Sequence, residues 1–376
     1  MKSRLIYFGV SLLIMTHSFA QDQQDSEKQI ENKKRAAQLS LVYPLGTNGI
    51  DADQYINNFS LNVWAGYAAG VQGFELAGLG NLIRQDVQGF QGAGLANVVG
   101  RDSRGFQVAG LTNLVKQDVS GIQLAGIGNL AGGSITGMQA SGIFSFTNGN
   151  VTGSQLSGQA NFAKGDVSGG QVSSLANFAG GKVKGLQLGT LVNYAGVLSG
   201  VQIGLVNIVR KYEKGATIGF INIVKGGYSK FELSGDDITL LNGGYKSGTK
   251  RLYGIVTAGI DPDKERWVYG LGFGTQIDFK GRFFGNVEST LSHVLSTERK
   301  LDGNYLLQRL YLNMGYTVFG GVQVVAGPVL NIYFEDFNND PEDTFSDIKP
   351  DNAWWETSND NWNIYLYPGY KVAVRF

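Results

Sequence analysis

Residues 89–97 read GFQGAGLAN, 105–113 read GFQVAGLTN and 121–129 read GIQLAGIGN, one phrase returning at an interval of sixteen. Its Gly recurs at 73, 89, 105, 121, 137, 153, 169 and 185 without a slip. Two residues after each Gly stands Gln91, Gln107, Gln123, Gln139, Gln155, Gln171 or Gln187, with Glu75 in the first copy. Eight residues after it stands Asn81, Asn97, Asn113, Asn129, Asn161, Asn177 or Asn193, with Ser145 as the one departure. Two shortened copies, VQIGLVNIV at 201–209 and TIGFINIV at 217–224, carry the array to about residue 224, and no Pro occurs between Pro44 and Pro262.

A unit this short cannot hold a helical hairpin, and each Gly would cost a helix about 1 kcal/mol relative to Ala. The remaining columns are strand formers: Phe74, Phe90 and Phe106 in one, Leu79, Leu95 and Leu111 in another, Val87, Val119 and Ile135 in a third. The pattern predicts an all-β chain whose repeats form a β-solenoid of 16-residue coils. Identical residues then stack at about 4.8 Å, and the Gln and Asn amides bond to the coils above and below. Ten coils would make a rod of about 45 to 50 Å, with a regular Gln, Asn and Ser surface open to a partner. The alternative is a single large antiparallel meander barrel, one strand and turn per repeat. Nothing in a meander requires successive, oppositely directed strands to carry the same residue at the same place. A polar tip also recurs, as in Arg84-Gln85-Asp86 and Lys116-Gln117-Asp118. Ser134, Asn150 and Lys182 interrupt its aspartates, which favours Asx turns over a calcium column.

Before the array, Lys2 and Arg4, the apolar run Leu5 to Met15 and Ser18-Phe19-Ala20 have the form of a cleaved secretory signal, residues 1–20. Residues 21–37 are polar and predict a flexible lead-in. Residues 38–70 predict N-terminal strands or a cap, and 71–227 the solenoid. From 228 to 376 the ladders stop, and the pattern becomes that of an antiparallel β-barrel-like domain. Trp267, Tyr269, Leu271 and Phe273 share one strand face, Val268, Gly270 and Gln276 the other, and the next segment turns Asn286, Glu288, Thr290 and Ser292 to one side. Further strands are expected at 251–260, 305–318, 320–334 and 362–376, long enough to match tilted membrane strands. Eight strands need two more, from 229–245 or from 38–45 and 58–67; the second choice would make the solenoid an insertion in the barrel. A long acidic loop, 335–361, carries Trp354 and Trp355, expected as an interfacial anchor with a ligand contact as the alternative, and a segment from Asp336 that departs from a calcium loop at Pro341 and Asp347.

The chain has 376 residues, 31 basic and 31 acidic, and no Cys. Disulfides, Cys-ligated metals and Cys nucleophiles are thereby excluded. Without Lys2 and Arg4 the net charge is about −2, which gives no field that draws in nucleic acid. His293 is the one His after the signal, and with Ser289 and Ser292 it lacks an acidic partner or a G-x-S-x-G context. No enzymatic activity, cofactor or metal is expected.

Two resemblances add to this. The ending YPGYKVAVRF, with Tyr370, Val372, Val374 and Phe376 on one face, resembles the C-terminal signature of outer-membrane β-barrel proteins. That resemblance implies recognition by barrel-assembly machinery. The array GFQVAGLTNLV...GIQLAGIGNL resembles the bacterial surface-repeat proteins, built from G-x-Q-x-x-G-x-x-N units over roughly 40% of this chain. It implies a secreted or surface protein and brings no catalytic motif. The expectation is a non-enzymatic outer-membrane or cell-surface protein presenting its solenoid for adhesion or protein interaction, with an extracellular protein or glycan as ligand. The alternative is an outer-membrane channel or small-ligand transport barrel, with Asn286, Glu288 and Gln276 facing the ligand.

Overall fold

The computed structural model describes residues 33–263, 266–296, 305–336, 353–358 and 362–376. The expected signal peptide and most of the lead-in lie outside them. The chain is almost entirely β: a parallel solenoid of about eleven coils and a closed eight-stranded antiparallel barrel.

Each coil holds one long and one short strand. Val119–Ala125 pairs in parallel with Ser103–Ala109 before it and Ile135–Ser141 after it, setting Gly121 beside Gly105 and Gly137 and Gln123 beside Gln107 and Gln139. Thr112–Val115 does the same between Ala96–Val99 and Gly128–Ala131. Sixteen residues are thus one turn, which explains why identity recurs at that interval and answers the meander alternative. Between the two strands lies a narrow core of Val71, Val87, Val119 and Ile135 against Val99, Val115 and Ala131.

The repeated Gly has a steric cause. Gly121 sits at φ +138°, and a Cβ there would lie 1.9 Å from the Gly105 carbonyl oxygen. Coils stacked at strand spacing leave no room for that atom, and L-residues avoid that backbone region. Gly121→Ala is expected to destabilise the solenoid by about 3 kcal/mol, read as a lowered urea midpoint of the far-UV circular dichroism signal.

The solenoid begins earlier than the sequence pattern suggests. Lys33–Val42 is already strand and pairs in parallel with Tyr55–Asn62, which pairs with Gly70–Ala77. Residues 33–37 therefore belong to the first coil rather than to a flexible lead-in, and the segments 38–45 and 58–67 are coil strands rather than barrel strands. Their alternation belongs to the long strand of a coil, which shows the same period of two. The last coils shorten, pairing Gln187 with Gln202 and Asn193 with Asn207, and the array ends at Ile221–Val224.

The barrel strands are Tyr228–Asp236, Leu241–Thr249, Leu252–Asp261, Arg266–Asp278, Phe283–Ser296, Tyr305–Thr317, Gln323–Asp336 and Trp362–Arg375. Each pairs antiparallel with the next. The last closes on the first through Glu232 opposite Arg375 and Asp236 opposite Lys371. The two strands missing from the pattern therefore come from 228–249. A short strand, Trp355–Ser358, lies along the other half of the last strand. Trp267, Tyr269, Leu271 and Phe273 face outward and are exposed, while Gln276, Asn286, Glu288, Thr290 and Ser292 face inward and are buried. The wall is apolar outside and polar inside.

The connections 250–251, 279–282 and 318–322 at one end are short. At the other end lie 237–240, 262–265, 297–304 and 337–361, the last two being the longest. The solenoid enters at the short-turn end, where the barrel's last strand also finishes. There the Asn222 backbone N–H donates to Ser247 Oγ at 2.9 Å and its Nδ2 to the Ser247 carbonyl at 3.1 Å. Ser247 alternates with the inward Lys246 and pairs with Gly254, so the last coil seats on the outer wall of the barrel.

Candidate functional site

Three arrangements of polar groups stand out, and two of them are internal. Gln107 Nε2 donates to Gln91 Oε1 at 2.8 Å, and Gln123, Gln139, Gln155, Gln171, Gln187 and Gln202 each donate to the preceding Gln. Every donor points toward the N-terminal end. The Asn ladder runs the other way. Asn81 donates to Asn97, Asn97 to Asn113 and Asn113 to Asn129, and after the Ser145 break Asn161 donates to Asn177, Asn177 to Asn193, Asn193 to Asn207 and Asn207 to Asn222. Most of these Asn Nδ2 groups also donate to a carbonyl of the following coil, such as Leu124 O for Asn113. A carbonyl only accepts, so this second bond fixes which end of the amide is which.

The ladder residues have at most about 2% of their surface exposed. The Gln and Asn rows are the inside of the rod, which corrects the expectation that they form its contact surface. They bond coil to coil as the pattern suggests, and the direction of the bonding is new. The Gln ladder ends on Glu75, whose Oε2 accepts from Gln91 at 2.8 Å and Oε1 from Asn62 at 3.3 Å. Burial pushes this carboxyl up to about 7, against those two hydrogen bonds, which pull it down. Ser60, its register partner on the coil before, has a buried hydroxyl with no hydrogen-bond partner.

The second internal arrangement fills the barrel. Glu288 accepts from Lys246 at 2.6 Å, Arg375 at 3.0 Å and Tyr253 at 2.7 Å. Glu232 accepts from Lys371 at 2.6 Å and Arg375 at 2.5 Å, with Lys246 2.7 Å away. Arg375 also donates to Asn286 at 2.8 Å. Nearer the long-connection end, Arg309 bridges Asp236 and Asp237 at 2.7 and 3.3 Å and donates to Asn331. Asn286 and Glu288, named from sequence as ligand contacts, are thus engaged with other side chains, and Gln276 donates to Asp278. The sequence pattern put polar residues inward on these strands. It gave no sign that Glu232 and Arg375, far apart in the chain, meet across the seam.

The third arrangement is the polar edge of the solenoid. The backbone N–H groups of Asp102, Asp118 and Ser134 donate to the side chains of Asp86, Asp102 and Asp118 on the coil before. These aspartates cap the turns of the next coil, sixteen residues on, rather than closing the local Asx turns expected of them. Among the described residues no His, Cys, Asp and Glu cluster has the makings of a metal site. The calcium-like segment from Asp336 lies almost wholly outside the described residues. Trp354 and Trp355 are exposed. His293 stacks on Tyr269 on the outer face while Ser292 points into the barrel, so the two do not meet. Tyr370, Val372, Val374 and Phe376 face outward in alternation with the buried Lys371, Ala373 and Arg375.

Compared with protein families, curated proteins and solved structures, the chain matches none.

Proposed function

We propose that this is a non-enzymatic outer-membrane protein in which the barrel is an anchor and the solenoid a rigid interaction scaffold. The observation that carries the proposal is the inversion of the barrel, apolar outside and ionic inside, which suits a wall facing lipid and costs stability in water. Among the described residues no helix is long and apolar enough to cross a membrane, so a crossing would fall to the strands. The outward row ending at Phe376 and the signal-like N-terminus agree with export and barrel assembly, and the repeat phrase agrees with the surface-repeat resemblance.

Two finer points follow. Eight strands enclose only enough space for side chains, and the Glu232–Lys246–Glu288–Arg375 network occupies it. That favours an anchor over a channel. Outer-membrane barrels keep short turns at the periplasmic side and long loops outside, which favours a periplasmic solenoid over an adhesin held out from the cell. The chain has no native Cys, so single cysteines test the sidedness. Thr357→Cys should react with a membrane-impermeant maleimide in intact cells, and Ser120→Cys only after the outer membrane is permeabilised. Labelling of Ser120→Cys in intact cells would overturn the periplasmic assignment and support adhesion.

A further inference from the structure

The solenoid has an apolar edge as well as a polar one. Leu79, Leu95, Leu111, Ile127, Ile143 and Leu175 stack at the turn between the long and short strands, each roughly 40% exposed. Across the described coils Gln159 alone breaks the column before Leu191 and Leu205. On one flank Phe59, Phe74, Phe90 and Phe106 stack ring on ring at 5.0 to 5.8 Å. On the other flank lie Leu82, Phe162 and Phe178. The opposite edge carries Arg84, Arg101, Lys116 and Lys164 beside the aspartate caps. The rod is therefore a blade with one apolar and one charged edge. From Leu79 to Leu205 the apolar edge runs about 38 Å at ~4.8 Å per coil, beyond what a soluble monomer leaves open.

We propose that this blade is embedded edge-on in a single lipid leaflet beside the barrel, on the short-turn side, with its charged edge emerging into water. The proposal rests on the outer-membrane reading of the barrel. Three observations select lipid as the occupant.

The first is continuity. The last coil seats against outward-facing Ser247 and Gly254, and Gly254 pairs with Phe273 of the barrel's outer apolar belt. The blade thus starts within the surface that the barrel offers to lipid and runs away from the wall.

The second is hydrogen bonding, because backbone groups cannot enter lipid unpaired. At the apolar turns they are paired. Gly94 N–H donates to Ala77 O at 3.2 Å, Leu95 N–H to Leu79 O at 2.7 Å, Leu111 N–H to Leu95 O at 2.9 Å and Thr112 N–H to Leu95 O at 3.1 Å. The inward Gln and Asn rows each bond coil to coil, and at the end next to the barrel Asn222 bonds to Ser247. The blade therefore meets lipid with its turns satisfied, as a helix or closed barrel does.

The third is depth. From the Phe column to the Leu turn is a step of five residues, as from Phe90 to Leu95, which spans at most about 16 Å at ~3.3 Å per residue, close to the roughly 15 Å of hydrocarbon in one leaflet.

The test uses the full chain in phosphatidylcholine vesicles containing an acyl-chain nitroxide lipid, with an environment-sensitive fluorophore on single cysteines. Leu111→Cys and Leu175→Cys report the apolar edge, Ser120→Cys a polar exterior position and Leu271→Cys the barrel belt. The expected result is nitroxide quenching at 111 and 175 within about twofold of that at 271, and several-fold weaker quenching at 120. Quenching at 271 with 111 and 175 open to aqueous iodide would overturn the embedding and leave the anchor standing. Quenching at 271 with 111 and 175 shielded from both quenchers would overturn it in favour of a second copy or another protein on the edge. Absence of quenching at 271 would overturn the barrel reading and the embedding with it.

Discussion

Glu75→Gln stabilises the solenoid by about 3 kcal/mol at pH 8 and flattens its dependence on pH. The wild-type chain carries one buried carboxyl at the end of a row of amides, and burial holds it up to about 7 from an ordinary value of 4.5. Below pH 4.5 the group is protonated in both folded and unfolded chains and costs nothing. Between 4.5 and 7 the unfolded chain releases the proton and the folded one keeps it, so stability falls as pH rises, by about 1.4 kcal/mol per unit. Above 7 both are ionised and the penalty is constant. A Gln at this position keeps an oxygen for Gln91 Nε2 and gives up the 3.3 Å bond from Asn62 Nδ2, which retains Asn81 Oδ1 as an acceptor, while its own amide can donate to Ser60, whose hydroxyl lacks a partner. Urea midpoints of the solenoid signal from pH 4 to 8 give the answer. A flat wild-type profile, or a variant less stable than wild type at pH 8, would contradict the assignment.

Glu288→Ala has the opposite sign and a larger reach. It removes the acceptor shared by Lys246, Arg375 and Tyr253, leaving Lys246, Lys371 and Arg375 to a single carboxylate, Glu232, in a buried space. Stranding buried charge in this way costs about 3 to 5 kcal/mol, enough to deplete the folded barrel. The control is Asp278→Ala, which breaks an exposed pair with Lys250 at 2.6 Å and is expected to cost under about 1 kcal/mol. The two are compared by the fraction of folded, faster-migrating barrel on an unheated denaturing gel. Equal fractions would mean that the internal network does not hold the barrel together.

How far the sequence spoke depends on the range of the interaction. The solenoid's period was legible because each coil repeats the environment of the last, so Gly121 answers to Gly105 and Gln123 to Gln107 within one turn. The side on which those amides lie was not legible. A Gln row bonds equally well inside or outside a coil, and the sequence alone does not show that Leu79 and Leu95 stand outward at a turn. Barrel strands such as Arg266–Asp278 announced themselves by aromatic alternation. Tyr228–Asp236 and Leu241–Thr249 did not, because their inward positions are Glu232, Asn242 and Lys246 among glycines and polar residues, which resemble loop until Arg375 and Glu288 arrive from far along the chain. The segments 38–45 and 58–67 misled for a related reason: a coil strand and a barrel strand alternate alike, and the distinction lies in what pairs beside them.

The central claim is that an inverted, closed barrel holds this chain in an outer membrane. Carbonate and urea extraction of cell envelopes, followed by denaturing electrophoresis with and without boiling, tests it most directly. The account predicts that the protein stays in the outer-membrane fraction and shifts in mobility on heating. Release into the soluble fraction with no heat-dependent shift would contradict it.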